Sequence, residues 1–503
     1  MGLVVRQTLK ASFANYVGVL VGVVNMLILM PLIFSESEIG IIKMLTENMV
    51  MLAGFATLGI SSSMYRYYPH FKDDPNGKLH GFDFWAAFIP FVGFMVITLL
   101  MIVGKSWVVS YFSEKAAAFL EYYLLLIPLA FTQIFFSVFE VTAAIENRIV
   151  IPKFLKEILM RVLTAVAFLL YYFGWLNFYQ SVLLLVIFYF VPLLLIFIYS
   201  AKLRKIHLRP DFHYLKNNTH IVRDFLNYTG IITLGSLSGF ILAKIDMIMI
   251  SAKMGLDYTG VYMIAVYVAT IIEIPRRSLV QILSTKISQQ MVDENHSETE
   301  KLYKQTSTLL FISALFLLLC ILINIDSMYK IMPNGDLYIG GTAVIYILAI
   351  SKCIELITSM GQVIIMYSRY YYITLLMTIV TAVIGILLNL LLIPVYGLTG
   401  AAIATAITII IQQIIIGITI YTKLGFHSFT ITQLKTAFLF IIAIGVNFII
   451  PTLTNAWLDI SVRTVVIAGI FILVLYKAQW STETNQIINN LIRRVKDRNF
   501  KPY

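Results

Sequence analysis

The residues with chemical reach are ionisable side chains lying inside long apolar runs: Lys43, Glu47, Glu140, Glu157, Arg161, Lys244, Asp246, Glu273, Lys352 and Glu355. A charge in hydrocarbon is costly, so such residues face a wet cavity or a partner. Glu157 and Arg161 stand four apart with the acid first, the favourable order for a pair on one helix. They either neutralise each other or line a cavity. Lys352 lies midway along its run, too deep to snorkel, with Glu355 three residues on and able to pair with it. Lys244 and Asp246 are two apart and point to nearly opposite faces of a helix, so each needs a partner from elsewhere. Lys43 and Glu140 fall near the ends of their runs and read as structural.

Glu273-Ile274-Pro275-Arg276-Arg277 adds a proline that frees a backbone carbonyl and two guanidinium groups in one half of a run. Guanidinium forks match phosphate oxygens two at a time, so this segment suits a phosphate-bearing ligand, or else anchors its helix. The anchoring role suits Arg277 better than Arg276. Amides at Asn25, Gln133, Gln362, Asn389, Gln412 and Gln413 suit sugar hydroxyls or neighbouring helices equally. Ammonium and guanidinium groups without partners at such depth imply a wet chamber receiving a negatively charged headgroup. Yet the deep charges nearly cancel, four basic against six acidic, or six against six with Arg276 and Arg277.

The elements that must position these residues follow from composition. The chain has 503 residues, 59% hydrophobic and only 13% charged, against about 25% charged in soluble proteins. One water-soluble core could not bury that apolar excess. A helix of roughly 20 apolar residues crosses the hydrocarbon, and this ruler predicts an all-α polytopic membrane protein of about fourteen transmembrane helices. The spans are expected at 11–33, 41–63, 82–103, 119–143, 151–173, 178–200, 228–252, 260–284, 306–325, 339–365, 371–393, 399–422, 432–453 and 461–476. No alternating ten-residue strands suggest a barrel. The first run is too long for a signal-peptide core and is expected to be a retained span.

The formal charge of +11, from 37 Lys and Arg against 26 Asp and Glu, sits in loops. Topology explains it better than nucleic acid. One face carries 28 of the 37 cations and the other five, which predicts that both termini are cytoplasmic. Asn15-Tyr16-Val17-Gly18 is echoed by Asn227-Tyr228-Thr229-Gly230, and short outer loops precede both Gly40 and Gly260. The echoes suggest two parallel six-helix lobes, 1–200 and 227–424, joined by a cytoplasmic linker at 201–226. Helices 13 and 14 (425–476) are extra, and a basic cytoplasmic tail (477–503) either lies on an anionic leaflet or only anchors the last span. Gly18 with Gly22, and Gly235 with Gly239, fit close helix packing. Pro90, Pro128, Pro192 and Pro275 are expected to interrupt spans.

Catalytic signatures are absent. Cys320 and Cys353 lie in apolar runs, which excludes a disulfide framework, and the histidines, His70, His80, His207, His213, His220, His296 and His427, map to loops without metal spacing. No phosphate-binding loop of the ATPase type occurs, so transport draws on a gradient or the membrane potential. No cofactor or metal is expected. Short loops leave no room for a soluble catalytic domain.

Two segments resemble a family. Gly40 through Pro69 (GIIKMLTENMVMLAGFATLGISSSMYRYYP), and above all Leu388 through Thr405 (LNLLLIPVYGLTGAAIAT), resemble the polysaccharide flippases of the multidrug, oligosaccharidyl-lipid and polysaccharide exporter superfamily. The resemblance, with the matching span count, covers essentially the whole chain. It implies two six-helix lobes around a central cavity, and a groove by helices 13 and 14 for a lipid tail. It also implies flipping of an undecaprenyl-diphosphate-linked oligosaccharide across the bacterial inner membrane by alternating access. On that resemblance Arg276, Arg277, Lys352, Lys244 and Arg161 become candidate diphosphate contacts. Asp246, Glu273, Glu355, Glu157 and Glu47 would hold those cations ready, or bind a coupling proton or sodium ion. Membrane lipids and polysaccharide-assembly enzymes are the expected partners, nucleic acid is not, and the chain is expected to be a transporter, not an enzyme. The alternatives are a multidrug exporter on the same fold and, further off, a polysaccharide polymerase or ligase, which usually needs a larger outer loop.

Overall fold

Inside a bilayer a segment must satisfy its own backbone N–H and C=O groups, and a helix does this without a partner strand. The computed structural model describes residues 14–72, 79–112, 115–146, 148–203, 209–211, 219–292, 295–480, 484, 485 and 489, and these contain helices and no strand. We number the main helices α1 (Ala14–Ile33), α2 (Glu36–Ala56), α3 (Ile60–Lys72), α4 (Phe82–Val103), α5 (Leu126–Ile145), α6 (150–172) and α7 (Phe178–Leu203). There follow α8 (Thr219–Lys253), α9 (Leu256–Thr270), α10 (Ile274–Val292), α11 (His296–Ile331), α12 (Thr342–Tyr367), α13 (Tyr371–Leu424), α14 (Ile431–Asn447) and α15 (456–478).

Among the described residues, 11 helical segments are long and apolar enough to cross a membrane. Every expected span overlaps a helix, and three local features separate that number from fourteen. First, α13 runs for 54 residues, about 80 Å at 1.5 Å per residue, far beyond a hydrocarbon core of about 30 Å. It is broken at Gly397 (φ 58°, ψ −133°), a conformation that suits glycine. A Cβ on Gly400 would strike the carbonyl of Leu392, eight residues back and about 12 Å away in a straight helix. The chain therefore folds back on itself there. Second, α6 carries Lys153, Lys156, Glu157 and Arg161, which dilute its apolarity. Third, α14 has only 17 residues.

Helix starts differ from the hydropathy ruler where polar caps extend them. Ser35 and Glu38 form a reciprocal capping box, Glu38 Oε2 accepting from Ser35 N at 2.9 Å, so α2 begins at Glu36. Thr430 and Gln433 do the same for α14. The Asn295 side chain accepts from Glu298 N and starts α11 well before residue 306. Pro90 and Pro192 lie inside α4 and α7 as expected. Pro128 instead occupies a first turn, where a helix needs no N–H from it, and Pro275 lies at the start of α10, inside the span Leu256–Arg277. His70, His220 and His296 also fall within helices, not loops.

By packing, the chain forms two units, Met1–Gly260 and Val261–Tyr503. Helix α8 falls in the first unit, where it packs on α2 and α3. Within that unit α2 packs on α4, α5 and α8, and α7 lies between α5 and α6. A Cβ on Gly40 would strike the Leu256 carbonyl, and one on Gly260 would strike the Glu36 carbonyl, a reciprocal close approach of the starts of α2 and α9. In the second unit α11 and α12 are central, α11 touching α10, α12, α14 and α15, and α12 touching α13. Most of the linker at 201–226 and most of the basic tail lie outside the described residues.

Candidate functional site

The charged site of the second unit is built where one helical run passes into the next. Pro275 cannot supply the N–H that would continue α9 into α10, and the chain tightens into a 3-10 turn, Ile271–Glu273, before α10 begins. Glu273 thus ends one helical run while Arg276 and Arg277 open the next, and α12 passes alongside. Lys352 Nζ on α12 lies 2.6 Å from Glu273 Oε1 and 2.9 Å from Glu355 Oε2. Arg276 Nη1 pairs with the other oxygen of Glu355. Arg277 Nη2 is 3.6 Å from Glu273 Oε2, and its side chain is 58% exposed against 26% for Arg276. Three cations therefore share two carboxylates, leaving one positive charge in excess.

The first unit holds a similar balance. Glu47 on α2 pairs with Lys244 of α8 and, at 4.0 Å, with Lys43 one turn earlier on α2. On α6, Arg161 Nη2 donates to Glu157 Oε2 at 2.8 Å, and its Nη1 donates to the carbonyl of Gly18 on α1. That contact requires a glycine, since a Cβ at position 18 would lie 2.6 Å from the Glu157 carbonyl oxygen. Asn25 completes the junction, donating from Nδ2 to the Arg161 carbonyl at 2.8 Å. Lys43 and Lys244 thus share Glu47 while Arg161 holds Glu157, three cations paired with two acids.

One expectation changes. The deep cations do not lack partners, because carboxylates of the same or a neighbouring helix meet them: Lys244, Arg161, Arg276, Arg277 and Lys352 are all ion-paired. Lys43 shares Glu47 with Lys244, and the four-residue spacing of Lys43 and Glu47 was the available signal. Asp246 Oδ1 accepts from Met247 N at 2.7 Å. Among the amides, Gln413 accepts from Thr358 across α12 and α13, and Asn389 donates to Gly385 on its own helix at 2.8 Å. Two cavities in the first unit, one bounded by Met64, Phe82, Trp85 and Phe225 and one by Phe131, Phe135 and Phe190, are apolar and include none of the charged residues.

Chemically, a carboxylate shared between cations keeps them desolvated yet compensated, and an arriving anion can take over part of each pair. A single buried cation would pay a far larger penalty while empty.

Residues 4–284, more than half of the chain, match the polysaccharide biosynthesis protein family. Among solved structures the chain is similar to the lipid II flippase MurJ in an inward closed conformation, with TM-score 0.73 and 12% identity over 93% of this chain and 99% of that one. It is also similar to an outward-facing multidrug resistance MATE family transporter of the MOP superfamily, with TM-score 0.60 and 15% identity over 84% and 95%. A MOP superfamily transporter from Pyrococcus furiosus, whose binding pocket is described as reversed in polarity, gives TM-score 0.59 and 13% identity over 84% and 95%. Identities this low show the fold alone. No curated protein matches the sequence.

Proposed function

The chain belongs to the polysaccharide biosynthesis protein family, and from that membership we propose that it flips an undecaprenyl-diphosphate-linked oligosaccharide from the inner to the outer leaflet of the bacterial cytoplasmic membrane. The movement runs by alternating access and serves surface polysaccharide synthesis. Family and fold are of transporter and flippase type, and the chain acts as a carrier, not an enzyme.

The observation that carries this reading is the charge surplus: Lys352, Arg276 and Arg277 on Glu273 and Glu355, and Lys43, Lys244 and Arg161 on Glu47 and Glu157. A diphosphate neutralises such a surplus. Arg276 and Arg161 offer forked donors, and Lys352 and Lys244 compact charges. When the anion leaves, the carboxylates take the cations back, so the empty state keeps only the single surplus charge of each cluster. A cationic drug would meet repulsion at both clusters, which disfavours a multidrug exporter. Both termini are cytoplasmic in this reading, the six-helix lobes divide at 201–226, and a proton or sodium ion taken up by the acid partners couples the cycle.

The test is a deletion strain scored for lipid-linked glycan on the cytoplasmic side of the membrane. Accumulation there, relieved by the intact gene and not by Lys352→Ala at equal protein level, is expected. Undiminished surface polysaccharide in the deletion strain overturns the function, and full rescue by Lys352→Ala overturns the site.

A further inference from the structure

Helix α6 carries cations at more than one depth. Lys153 and Lys156 lie in its first turns, and both reach Glu140 of α5. Lys156 Nζ donates to Glu140 Oε2 at 3.0 Å, and Lys153 Nζ lies 3.5 Å from Oε1. Among the described residues Glu140 is the sole carboxylate in ion-pair contact with either lysine, so two ammonium groups share one negative charge. All three side chains are half-buried. A residue that only anchored a helix end would extend into water, whereas these two converge on an acid from the next helix. An ammonium has three N–H donors, and Lys156 spends one of them here.

Between this group and Arg161 the helix changes winding. Residues Leu155–Leu159 form a π turn, with Met160 N donating to Leu155 O. In a regular α-helix, at 3.6 residues per turn, Lys156 and Arg161 would point about 140° apart. A π turn bonds each residue to the fifth one on and winds less per residue than an α-helix, so it narrows the angle between Lys156 and Arg161. The cations form a ladder from the end of α6 inward, with about 12 Å of helix rise between Lys153 and Arg161.

We propose that Lys153 and Lys156, held on Glu140, form a receiving station for the phosphate of a polyprenyl-linked substrate at the inner end of α6, and that the π turn of α6 hands that phosphate on to Arg161. The proposal rests on the flippase reading and its sidedness. Glu140 keeps the two ammonium groups from holding the anion too tightly.

Binding to the purified full-length protein in nanodiscs tests it, with undecaprenyl diphosphate, undecaprenol and phosphatidylglycerol as probes. The intact protein is expected to prefer undecaprenyl diphosphate to undecaprenol. The K153Q/K156Q variant should lose affinity for the diphosphate on the order of tenfold, the loss of a charge-assisted contact, while K153R/K156R keeps it. E140Q, which releases both ammonium groups, should bind the diphosphate more tightly yet export less polysaccharide. Unchanged diphosphate affinity in K153Q/K156Q, or weaker binding in E140Q with an unaltered melting temperature, overturns the station. So does phosphatidylglycerol binding as tightly as the diphosphate and lost in the same variant. If the intact protein does not distinguish undecaprenyl diphosphate from undecaprenol, the flippase reading itself falls, and the station with it.

Discussion

Glu47 holds two ammonium groups, so removing it and removing either lysine are unequal losses. Glu47→Ala strands Lys43 and Lys244 together, whereas Lys244→Ala leaves the Lys43 pair intact. Breaking a buried pair from one side costs about 3 kcal/mol or more, so thermal unfolding in detergent should show Glu47→Ala destabilised by about that amount and Lys244→Ala by about 1 kcal/mol. Equal shifts would mean that Lys43 does not share the acid. Lys352 is the corresponding hub in the second unit, bridging Glu273 and Glu355. Lys352→Arg keeps a charge able to span both acids and should retain part of the export that Lys352→Ala loses. The pairs within one helix, Glu157 with Arg161 and Lys352 with Glu355, were legible as spacings. Those across helices, Lys244 with Glu47, Arg276 with Glu355 and Lys352 with Glu273, depend on which helices pack together, and no spacing along the chain encodes that.

At the scale of elements, close helix contacts decide what the glycines tolerate. Gly18→Ala would push α1 off α6 and break the bond from Arg161 to the Gly18 carbonyl, a cost of about 1–3 kcal/mol for overpacking. Gly417, inside α13, faces open space within 4 Å. Gly417→Ala should leave stability unchanged or raise it by up to about 1 kcal/mol from helix propensity alone. Melting temperatures of the two variants should therefore move apart, and a shared direction would contradict the packing of α1 on α6. Hydropathy located the helices because apolar length is written directly in the sequence. Their starts were less legible, since Ser35, Asn295 and Thr430 are polar residues that prolong helices through capping. The π turn in α6 left no mark in its residue types.

For the whole molecule, the uneven distribution of Lys and Arg makes a definite claim about sidedness. A reporter fused after Lys216, outside the described residues, is expected to read cytoplasmic, and a periplasmic signal there would invert the map. The family was legible in the segment around Gly40, which lies within the matched residues 4–284, whereas the packing division at Gly260 was not, because it follows from where α8 lands. The doubled-back helix α13 carries a last consequence. Its tip at Pro394–Leu398 is neutral, while at its base Arg369 and Lys423 both lie over the ring of Tyr370, at 5.0 and 5.9 Å. During synthesis the nascent hairpin thus carries its only compass at its feet. A chain with Arg369→Ala and Lys423→Ala together should insert in both orientations, visible as partial labelling of a cysteine at position 396 from either side of the membrane. Labelling that stayed one-sided would show that the neighbouring helices steer it instead.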